Sequence, residues 1–440
     1  MADRKLTYTR LIEMLQPRIL VQSGCYELDN LGDQSMIRAA IGRIRERLPE
    51  SVFSVVSRSV EELRSLAPGA HAIPVENKDE WKLLRLVYLG LRRTVPPLDP
   101  FLRAHFPRPF HWLLRLKARK LINREMLRET DFMIVSGGAY FTDVFPGQAW
   151  SSLERIRAAD SLGIPFALVG QGLGPLTDPA IKRAMAELFP RARLIAVRER
   201  TESLALLGEL GVNDQRIFIT GDDAVEDAWR GRVVELGSSI GVNLRVASYA
   251  GTSAEDLAAM REGLRATAAA TQGELIPLPV CVAESVESSS DAIVAELILD
   301  GLTTARRTAA VPASVTDLIA RVSKCRVVAT GSYHCAVFAL SQGIPAVCVY
   351  NSEYYRMKFL GLKDLFGAGC EVISISSDRF PDALAAATLQ MWHDAPSLRP
   401  ALLSAAERQI AAGRRAYAEL CSIIATECSE PRRPPGEFAA

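Results

Sequence analysis

The sequence predicts an α/β protein in which two Rossmann-like, doubly wound domains face each other across a cleft. Short apolar segments typical of buried strands alternate with longer segments of helical periodicity, a pattern that favours parallel sheets. Small or polar residues follow many of the predicted strands. The 440 residues, 48% of them hydrophobic, provide enough chain for two domains with separate cores.

The first α/β unit spans residues 18–58. RILVQSG is a predicted strand, QSMIRAAIGRIRERL a predicted helix and SVFSVVS a second strand. The helix has an apolar face at helical spacing, formed by Met36, Ile37, Ala40, Ile41, Ile44 and Leu48. Asp33 lies just before this helix, where a carboxylate can cap the free backbone N–H groups.

Residues 77–130 differ from their surroundings and are interpreted as a basic helical insertion. They contain thirteen lysines and arginines against five acidic residues, with aromatic residues between them. One interpretation is a helical hairpin that packs on its own domain. The other is a surface that rests on anionic lipid, because aromatic side chains beside basic ones are typical of membrane-surface segments.

The α/β pattern continues after this insertion. Further strands are predicted in DFMIVSGG, PFALVGQGLGP, LIAVRE and RIFITGDDAV, with helices between them. Residues 226–238 are the predicted linker to a second α/β set that begins with SIGVNLRV. The predicted domains are residues 1–230 and 231–380, followed by C-terminal helices at 381–427 and a disordered tail at 428–440.

Composition argues against several classes of protein. The formal net charge of +1 provides no general attraction for nucleic acid. The eight cysteines lack metal-ligand spacing and the five histidines are far apart, so we expect reduced thiols and no metal site. Neither a signal peptide nor an apolar segment of membrane-spanning length is predicted. We expect a cytoplasmic protein, located at the inner face of the plasma membrane if residues 77–130 bind lipid.

The most informative segment is CRVVATGSYHCAVFALSQGIPAVCVY, residues 325–350. It predicts a strand, a tight turn at Gly331, a helix and a second buried strand. Ser332, Tyr333 and His334 lie at the start of that helix, where free N–H groups and the helix dipole favour an anion. A histidine there can also transfer a proton. The segment therefore indicates an enzyme that acts on a phosphorylated or carboxylated donor.

Residues after the other predicted strands form a set of candidate ligand-binding groups. In open α/β sheets the ligand crevice lies beyond the carboxyl ends of the strands. The candidates are Asn30, Gly32 and Asp33; Gly137 and Gly138; Gln171, Gly172 and Gly174; Arg198 and Glu199; Asn243 and Arg245; and Ser332 with His334. The glycines alone also fit tight turns. Neither the dinucleotide fingerprint G-x-G-x-x-G nor a P-loop sequence occurs.

The ordered combination of these segments resembles the polysaccharide pyruvyl transferase family. The resemblance is carried by GCYELDNLGDQSMIRA, DFMIVSGGAYF, ALVGQGLGPL, IAVRERTESLALLGELGV, TGDDA, IGVNLR, and TGSYHCAVFALSQGIPAVCVY followed by YYRMKFLGL. It extends over residues 18–367 and implies a fold similar to that of GT-B glycosyltransferases. It also implies transfer of an enolpyruvyl-derived group from phosphoenolpyruvate onto a sugar as a ketal, with phosphoenolpyruvate as co-substrate and no other cofactor.

The resemblance implies roles for individual residues. Arg198 matches the arginine of the family's V-R-D/E segment, which would bind donor phosphate or carboxylate through a bidentate contact; the alternative is a surface ion pair with Glu199 or Glu202. His334 matches the family histidine near the donor, and its alternative is a local hydrogen bond at the helix start. Lys358 matches a downstream lysine that would add positive charge, and its alternative is a solvated surface position.

The sequence departs from the family pattern at one position. Many members carry Arg-Leu-His where this chain has Ser332, Tyr333 and His334. A hydroxyl cannot reproduce the bidentate contacts of a guanidinium group. Two explanations are open. The donor is bound jointly by backbone amides and the basic residues Arg198, Arg245 and Lys358, or the donor is not phosphoenolpyruvate. Tyr333 is expected either to contact a sugar or to pack in the core.

Ketal formation from phosphoenolpyruvate requires an acid, a base and cationic groups. His334 is the best acid–base candidate. The helix N-terminus favours its neutral form, whereas a bound anionic donor favours imidazolium. Asp33 can orient or deprotonate a sugar hydroxyl, unless its carboxylate caps the helix instead.

Two other functions are compatible with the sequence. One is a GT-B glycosyltransferase with a nucleotide-sugar donor, and the other is a non-catalytic protein that kept the fold. For the preferred function, the expected partner is a glycan or a lipid-linked sugar acceptor used in cell-envelope or exopolysaccharide biosynthesis. Contact with an anionic membrane through residues 77–130 is a further expectation, whereas nucleic acid is not expected. The sequence does not predict an oligomeric state.

Overall fold

The computed structural model describes residues 16–24, 26–74, 107–120, 122–282, 289–302 and 311–429. Most of the predicted insertion, up to residue 106, lies outside the described residues, and so does the predicted tail from residue 430 onward.

The N-terminal domain contains an eight-stranded parallel sheet. Its strands are β1 (Arg18–Gln22), β2 (Val52–Val56), β3 (His71–Ile73), β4 (Phe132–Val135), β5 (Gly138–Phe141), β6 (Phe166–Leu173), β7 (Ile195–Val197) and β8 (Ile217–Ile219). Their order is β3-β2-β1-β4-β6-β7-β8, with β5 paired to β6. The order reverses between β1 and β4, which makes this the topological switch point of a doubly wound sheet.

Helices cover both faces of this sheet. They are α1 (Leu31–Arg45), α2 (Val60–Leu66), α3 (Pro107–Lys120), α4 (Arg124–Arg128), α5 (Pro146–Ser161), α6 (Pro179–Leu188), α7 (Thr201–Glu209) and α8 (Val225–Arg230), with 3-10 turns at Phe189–Arg191 and Asp214–Arg216. Alternate residues of the central strands belong to two different apolar clusters. Since successive strand side chains point to opposite faces, one cluster lies beneath α1 and α2 and the other beneath α5 to α7.

The C-terminal domain contains a five-stranded parallel sheet. Its strands are β9 (Ser239–Asn243), β10 (Glu274–Pro277), β11 (Cys325–Thr330), β12 (Ala346–Tyr350) and β13 (Cys370–Ser374), in the order β10-β9-β11-β12-β13. The helices are α9 (Ala254–Thr271), α10 (Asp291–Leu299), α11 (Val315–Val322), α12 (Tyr333–Ser341), α13 (Glu353–Phe366) and α14 (Phe380–Ser429), with a 3-10 turn at Gly367–Gly369. Here the switch point lies between β9 and β11.

The last helix, α14, connects the two domains. Phe380 and Leu384 pack in a core cluster of the C-terminal domain, whereas Tyr417 and Leu420 pack in the N-terminal core. The Tyr417 hydroxyl donates to Asp223 at 2.8 Å. The predicted series of C-terminal helices is therefore wrong, because α14 is one helix of 50 residues.

Two prolines explain why one long helix was not predicted. Pro396 and Pro400 lie inside the helix, and proline normally interrupts a helix because it lacks an N–H donor. The helix also includes Cys428 and Ser429, where the tail was predicted to begin.

Two smaller predictions also need correction. The first residues of the predicted linker 226–238 belong to α8, so residues 231–238 connect the domains. Helix α1 begins at Leu31, and its N-cap is Asn30, whose Oδ1 accepts from the backbone N–H groups of Gly32 and Asp33 at 2.9 and 3.3 Å. The prediction that Asp33 caps this helix is therefore wrong.

The described part of the predicted insertion consists of α3 and α4. Helix α3 packs on α5, where Trp150 Nε1 donates to His111 Nδ1 at 2.9 Å. No described helix has the length and apolarity needed to cross a membrane.

Candidate functional site

Both topological switch points open onto one cavity between the domains. This cavity, the cleft, has a volume of about 230 Å³. Its N-terminal wall comprises Gly24, Asp29, Asn30, Asp33, Gly137, Gly138, Ala139, Tyr140, Phe145, Gln148 and Arg198. Its C-terminal wall comprises Arg245, Tyr249, Cys281, Ser332, Tyr333, His334, Tyr354, Tyr355 and Lys358. Parallel strands end at one edge of each sheet, and the two edges meet here, as expected for ligand binding in doubly wound folds.

The segment that starts α12 forms one side of the cleft. Strand β11 ends at Thr330, whose Oγ1 accepts from the Ser332 N–H at 2.9 Å, and α12 then begins at Tyr333. His334 is the second residue of this helix and is only 7% exposed. The helix start therefore presents backbone N–H groups and an imidazole to the cleft.

His334 is adjacent to Asp222, which follows β8. The distance from His334 Nε2 to Asp222 Oδ2 is 3.6 Å, longer than an ordinary hydrogen bond. Neither of these two buried atoms has a hydrogen-bond partner among the described residues. Since buried polar atoms are nearly always hydrogen-bonded, the pair is suited to accept a ligand or water between or beside its atoms.

Gly32 allows α1 to approach His334. A Cβ atom at position 32 would lie 2.0 Å from Cγ of the imidazole, far inside van der Waals contact. The first turn of α1 therefore contacts the His334 ring directly, and a larger residue would displace that ring.

Arg198 follows β7 and is buried, with 2% exposure. Its Nε donates to the Gly170 carbonyl at 2.8 Å and lies 3.1 Å from Asp222 Oδ2. Its guanidinium carbon lies 5.2 Å from the centre of the Tyr333 ring, within cation–π range. The alternative of a surface ion pair with Glu199 or Glu202 is therefore wrong, because Arg198 is directed into the cleft and pairs with Asp222.

The ionisation of Asp222 follows from these neighbours. Burial alone would raise its pKa, but the charges of Arg198 and His334 hold the pKa of this carboxyl well below its usual range. Its Oδ1 also accepts from the Ala224 N–H at 2.8 Å. Asp222 is thus an anion that can fix the orientation of the His334 imidazole.

Lys358 on α13 lies among three tyrosines. Its Nζ is 4.5, 4.8 and 5.5 Å from the ring centres of Tyr333, Tyr354 and Tyr355, and 3.2 Å from the Tyr354 hydroxyl oxygen. Burial, followed by repulsion from Arg198, lowers the pKa of Lys358 to about 7. The solvated-surface alternative for Lys358 is therefore wrong.

Arg245 and Asn243 belong to a hydrogen-bonded network at the end of β9. Arg245 Nη1 donates to Asp291 Oδ1 at 2.9 Å and to the Ser289 carbonyl at 3.0 Å, and its Nε donates to the Tyr249 hydroxyl at 2.9 Å. Asn243 Nδ2 donates to Asp291 Oδ2 at 2.9 Å. Arg245 lines the cleft, but Asn243 does not.

Asp33 lines the cleft and is half-buried. Burial raises its pKa, and His334 and Arg198 only partly offset this. Because the cap of α1 is Asn30, the Asp33 carboxylate is available for other contacts. Asn30 also lines the cleft, but its Oδ1 is occupied by the cap.

The other predicted residues divide into two groups. Gly137, Gly138, Ser332 and Tyr333 line the cleft. An adjoining recess of about 30 Å³ is lined by Gly172, Gly174 and Glu199 together with Arg198, Tyr333 and Lys358. Gln171 lines neither, because its Nε2 donates to the carbonyls of Val135, Ser136 and Val169. Its predicted role in substrate binding is therefore not supported by its position.

Four residues of the site, Asp222, Tyr249, Tyr354 and Tyr355, were not predicted from the sequence. A signal existed for three of them: Asp222 follows a predicted strand in TGDDA, and the pair Tyr354 and Tyr355 precedes Lys358 by a few residues. Phe145 and Tyr249, with ring centres 5.1 Å apart, connect the two walls as an aromatic contact. Among the described residues, no group of three or more His, Cys, Asp or Glu side chains is arranged to hold a metal.

Comparison with protein families gives one match to this chain. A sequence model of the polysaccharide pyruvyl transferase family matches residues 30–353. No curated protein matches the chain significantly.

Solved structures with a similar fold include sugar-nucleotide epimerases and glycosyltransferases. A putative UDP-N-acetylglucosamine 2-epimerase from Listeria monocytogenes has 13% identity and a TM-score of 0.57, covering 96% of this chain and 100% of its own. The UDP-GlcNAc 2-epimerase of Neisseria meningitidis bound to UDP-GlcNAc has 10% identity and a TM-score of 0.54, covering 93% and 99%. A glycosyltransferase from Rickettsia africae has 11% identity and a TM-score of 0.53, with the same coverage. These similarities concern the fold alone and confirm the predicted GT-B-like architecture of two facing α/β domains.

Proposed function

Because the chain belongs to the polysaccharide pyruvyl transferase family and is a transferase, we propose that it moves a pyruvyl group from phosphoenolpyruvate to a sugar. The acceptor is a sugar of a cell-surface glycan or of its lipid-linked precursor, and the product is a ketal. The observation that carries this proposal is the buried pair His334–Asp222, whose atoms Nε2 and Oδ2 have no hydrogen-bond partner in the described part of the chain and lie beside the cations Arg198 and Lys358.

The charges around Tyr333 suit a donor with a carboxylate and a phosphate. Arg198 and Lys358 both contact the ring of Tyr333, so two cationic groups lie next to the start of α12. Arginine binds carboxylate or phosphate through two parallel hydrogen bonds, and lysine adds a point charge. This arrangement supports the explanation that several groups bind the donor together. Their contacts would replace those of the arginine that many family members have at the position of Ser332.

His334 supplies the proton transfer in this proposal. One sugar hydroxyl adds to C2 of the enol while C3 receives a proton from the imidazolium, which gives a tetrahedral intermediate that still carries phosphate. The second hydroxyl then forms its bond to C2 as the C2–O bond to phosphate breaks. Two hydroxyl protons are released, of which one replaces the proton given to C3 and the other leaves with phosphate. Asp222 orients the imidazole for this transfer.

Asp33 is the proposed base for the acceptor hydroxyl. It lies in the same cleft, and a carboxyl whose pKa is raised by burial accepts a proton more readily than a solvated one. The aromatic contact of Phe145 with Tyr249 provides an apolar wall for the acceptor sugar.

The cysteines support a proposal for the compartment. Cys325, Cys335, Cys348, Cys370 and Cys421 are buried, and the cysteines that the structure describes form no disulfide, which suits a reducing compartment. We propose that the reaction takes place in the cytoplasm.

The direct test is to incubate the protein with phosphoenolpyruvate and a panel of lipid-linked or nitrophenyl sugars. We expect phosphate release together with an acceptor whose mass increases by one pyruvyl group. His334→Ala should lower the rate roughly 10²- to 10⁴-fold, as expected for loss of a general acid. His393→Ala is the matched control, because His393 is exposed on α14. An undiminished rate in His334→Ala would contradict this mechanism.

A second candidate is a glycosyltransferase that uses a nucleotide-sugar donor. Its support is that the solved structures of similar fold include a glycosyltransferase, and also an epimerase that is bound to UDP-GlcNAc. Thermal-shift measurements separate the two candidates. Stabilisation by phosphoenolpyruvate favours pyruvyl transfer, whereas stabilisation by a UDP-sugar without any response to phosphoenolpyruvate favours glycosyl transfer.

A further inference from the structure

A second cavity lies on the N-terminal domain, away from the cleft, where α3, α5 and α6 meet. It has a volume of about 360 Å³ and is called the arginine cavity. Four arginines line it: Arg115, Arg119, Arg157 and Arg183. None of its lining residues lines the cleft or the adjoining recess. The transferase chemistry therefore leaves this cavity without a role.

The arginine cavity has more positive than negative charge. Arg115, Arg119 and Arg157 converge on Glu154, at 2.8, 2.7 and 2.6 Å. Arg157 also pairs with Glu187 at 2.9 Å. The exposed Arg183 has no ion pair among the described residues. Four guanidinium groups therefore face two carboxylates, and at least two positive charges are not neutralised.

The guanidinium groups are held in place from below. The Glu154 carboxylate is almost fully buried and binds three of them, so a single anion fixes their directions. Arg115 also lies 5.0 Å above the ring of Trp150. Trp150 donates to His111, whose Nε2 lies 2.9 Å from Asp178. Arginines arranged in this way can donate parallel hydrogen bonds to phosphate oxygens.

The outer face of α3 lies beside this cavity and is partly apolar. Trp112 is 62% exposed and Leu113 is 48% exposed, although large apolar side chains are usually buried. Lys117 and Lys120 are exposed on the same helix. A helix that combines tryptophan, leucine and basic residues on its exposed side is typical of segments that lie in the membrane–water interface.

We propose that the arginine cavity binds the phosphate of an anionic phospholipid headgroup while Trp112 and Leu113 enter the interface. A soluble anion would use the arginines but would not account for the two exposed apolar side chains. A membrane uses both, because its surface combines anionic headgroups with an apolar layer. In this proposal, the described part of residues 77–130 contributes a lipid-binding surface that includes Trp112 and Leu113.

This surface is connected to the cleft through a single helix. Gln148 near the start of α5 lines the cleft, and Arg157 further along the same helix lines the arginine cavity. Nine residues separate them, which corresponds to about 14 Å along a helix. A protein docked through the arginine cavity would therefore keep the cleft close to the headgroup layer, where a lipid-linked acceptor presents its sugar.

Co-sedimentation with vesicles tests this inference. The binding is measured without donor or acceptor, so the result does not depend on the transferase assay. Wild-type protein should pellet with vesicles of phosphatidylglycerol and phosphatidylcholine but not with phosphatidylcholine alone, and salt should weaken the binding. Arg183→Gln should weaken binding roughly fivefold, as expected for one cation near an anionic surface. Trp112→Ala should weaken it by a similar or larger factor.

Matched substitutions on the C-terminal domain serve as controls. Arg265→Gln removes an exposed arginine from α9, and Leu297→Ala removes a half-exposed leucine from α10. Both should pellet as wild type, and all four variants should unfold at the wild-type temperature. Failure of the wild-type protein to pellet with anionic vesicles would overturn the inference. So would unchanged binding by Arg183→Gln and Trp112→Ala, or binding of inorganic phosphate or an acidic peptide without binding to vesicles.

Discussion

Two buried arginine–aspartate pairs lie on opposite walls of the cleft, and they differ in how completely they are satisfied. In the C-terminal domain, Asp291 accepts from Arg245 and Asn243, and also from the backbone N–H groups of Val280 and Cys281 at 3.0 and 2.9 Å. In the N-terminal domain, Asp222 is paired with Arg198 and adjacent to His334. There, Asp222 Oδ2 and His334 Nε2 have no hydrogen-bond partner among the described residues.

The difference indicates separate roles for the two pairs. A buried polar atom without a partner costs about 1–3 kcal/mol, so a ligand that supplies the partner recovers that energy on binding. His334 Nε2 can therefore gain a partner from an anionic donor beside Arg198, whereas Asp222 Oδ2 can gain one only from a hydrogen-bond donor such as a sugar hydroxyl. The pair of Arg245 and Asp291 has little capacity left for one, and it stabilises the loops at the end of β9.

The largest expected effect concerns stability. Asp291→Ala should lower the free energy of unfolding by about 3–5 kcal/mol, because it leaves the Arg245 charge buried without its partner. Asp222→Ala also leaves a buried arginine, Arg198, without its carboxylate, but its loss should be smaller because Asp291 accepts from Arg245, Asn243 and two backbone N–H groups, whereas Asp222 accepts from the Ala224 N–H alone. Urea unfolding of both variants measures this. Equal losses, or a larger loss in Asp222→Ala, would remove the distinction between the two pairs.

Donor binding should show the opposite order. Arg198→Lys keeps the charge but loses the bidentate contact, so kcat/KM for phosphoenolpyruvate should fall roughly 10- to 100-fold. Arg245→Lys should mainly lower the unfolding temperature. The control Arg200→Lys, an exposed residue two positions from Arg198, should have wild-type kinetics. A greater kinetic loss in Arg245→Lys than in Arg198→Lys would assign the donor to the other wall.

The pH dependence of KM tests the role of Lys358. With its pKa lowered to about 7 by burial and by Arg198, Lys358 is charged below that pH and neutral above it. The KM for the anionic donor should therefore rise as pH increases through 7, by up to about tenfold per pH unit. Lys358→Arg should flatten the rise, because arginine stays charged. Lys363→Arg on the same helix should retain it, and identical profiles for all three proteins would exclude Lys358 from the donor site.

The smallest expected effect distinguishes the role of the Tyr333 ring in donor binding from the role of its hydroxyl group. Tyr333→Phe keeps the face that contacts Arg198 and Lys358, so kcat/KM should change by less than about threefold. Tyr333→Leu, which restores the residue found in many family members, should cost about 0.5–2 kcal/mol of donor binding because the cation–π contacts are lost. A large loss in Tyr333→Phe would instead show that the hydroxyl group contacts a substrate.

Local patterns in the sequence predicted the fold and much of the site. Periodicity places strands and helices, and the carboxyl ends of parallel strands meet at one edge, so Arg198 and His334 could be assigned to one cleft. Lys358 was assigned to the donor only through the family resemblance. The sequence could not show where buried polar groups find their partners. Gln171 and Arg198 both follow predicted strand ends, but only Arg198 lines the cleft, because Gln171 bonds to backbone carbonyls. The packing of α14 in the N-terminal core depends on tertiary contacts that the sequence does not show. The prolines inside α14 also made one continuous helix an unexpected result.

Calorimetric titration of phosphoenolpyruvate into the wild-type protein and Arg198→Lys tests the central claim most directly, namely that Arg198, beside the incompletely bonded atoms of His334 and Asp222, binds an anionic donor. We predict that phosphoenolpyruvate binds the wild-type protein, that Arg198→Lys binds it at least tenfold more weakly, and that UDP-GlcNAc gives no binding heat. Equal affinity of both proteins for phosphoenolpyruvate, or binding of UDP-GlcNAc alone, would contradict the claim.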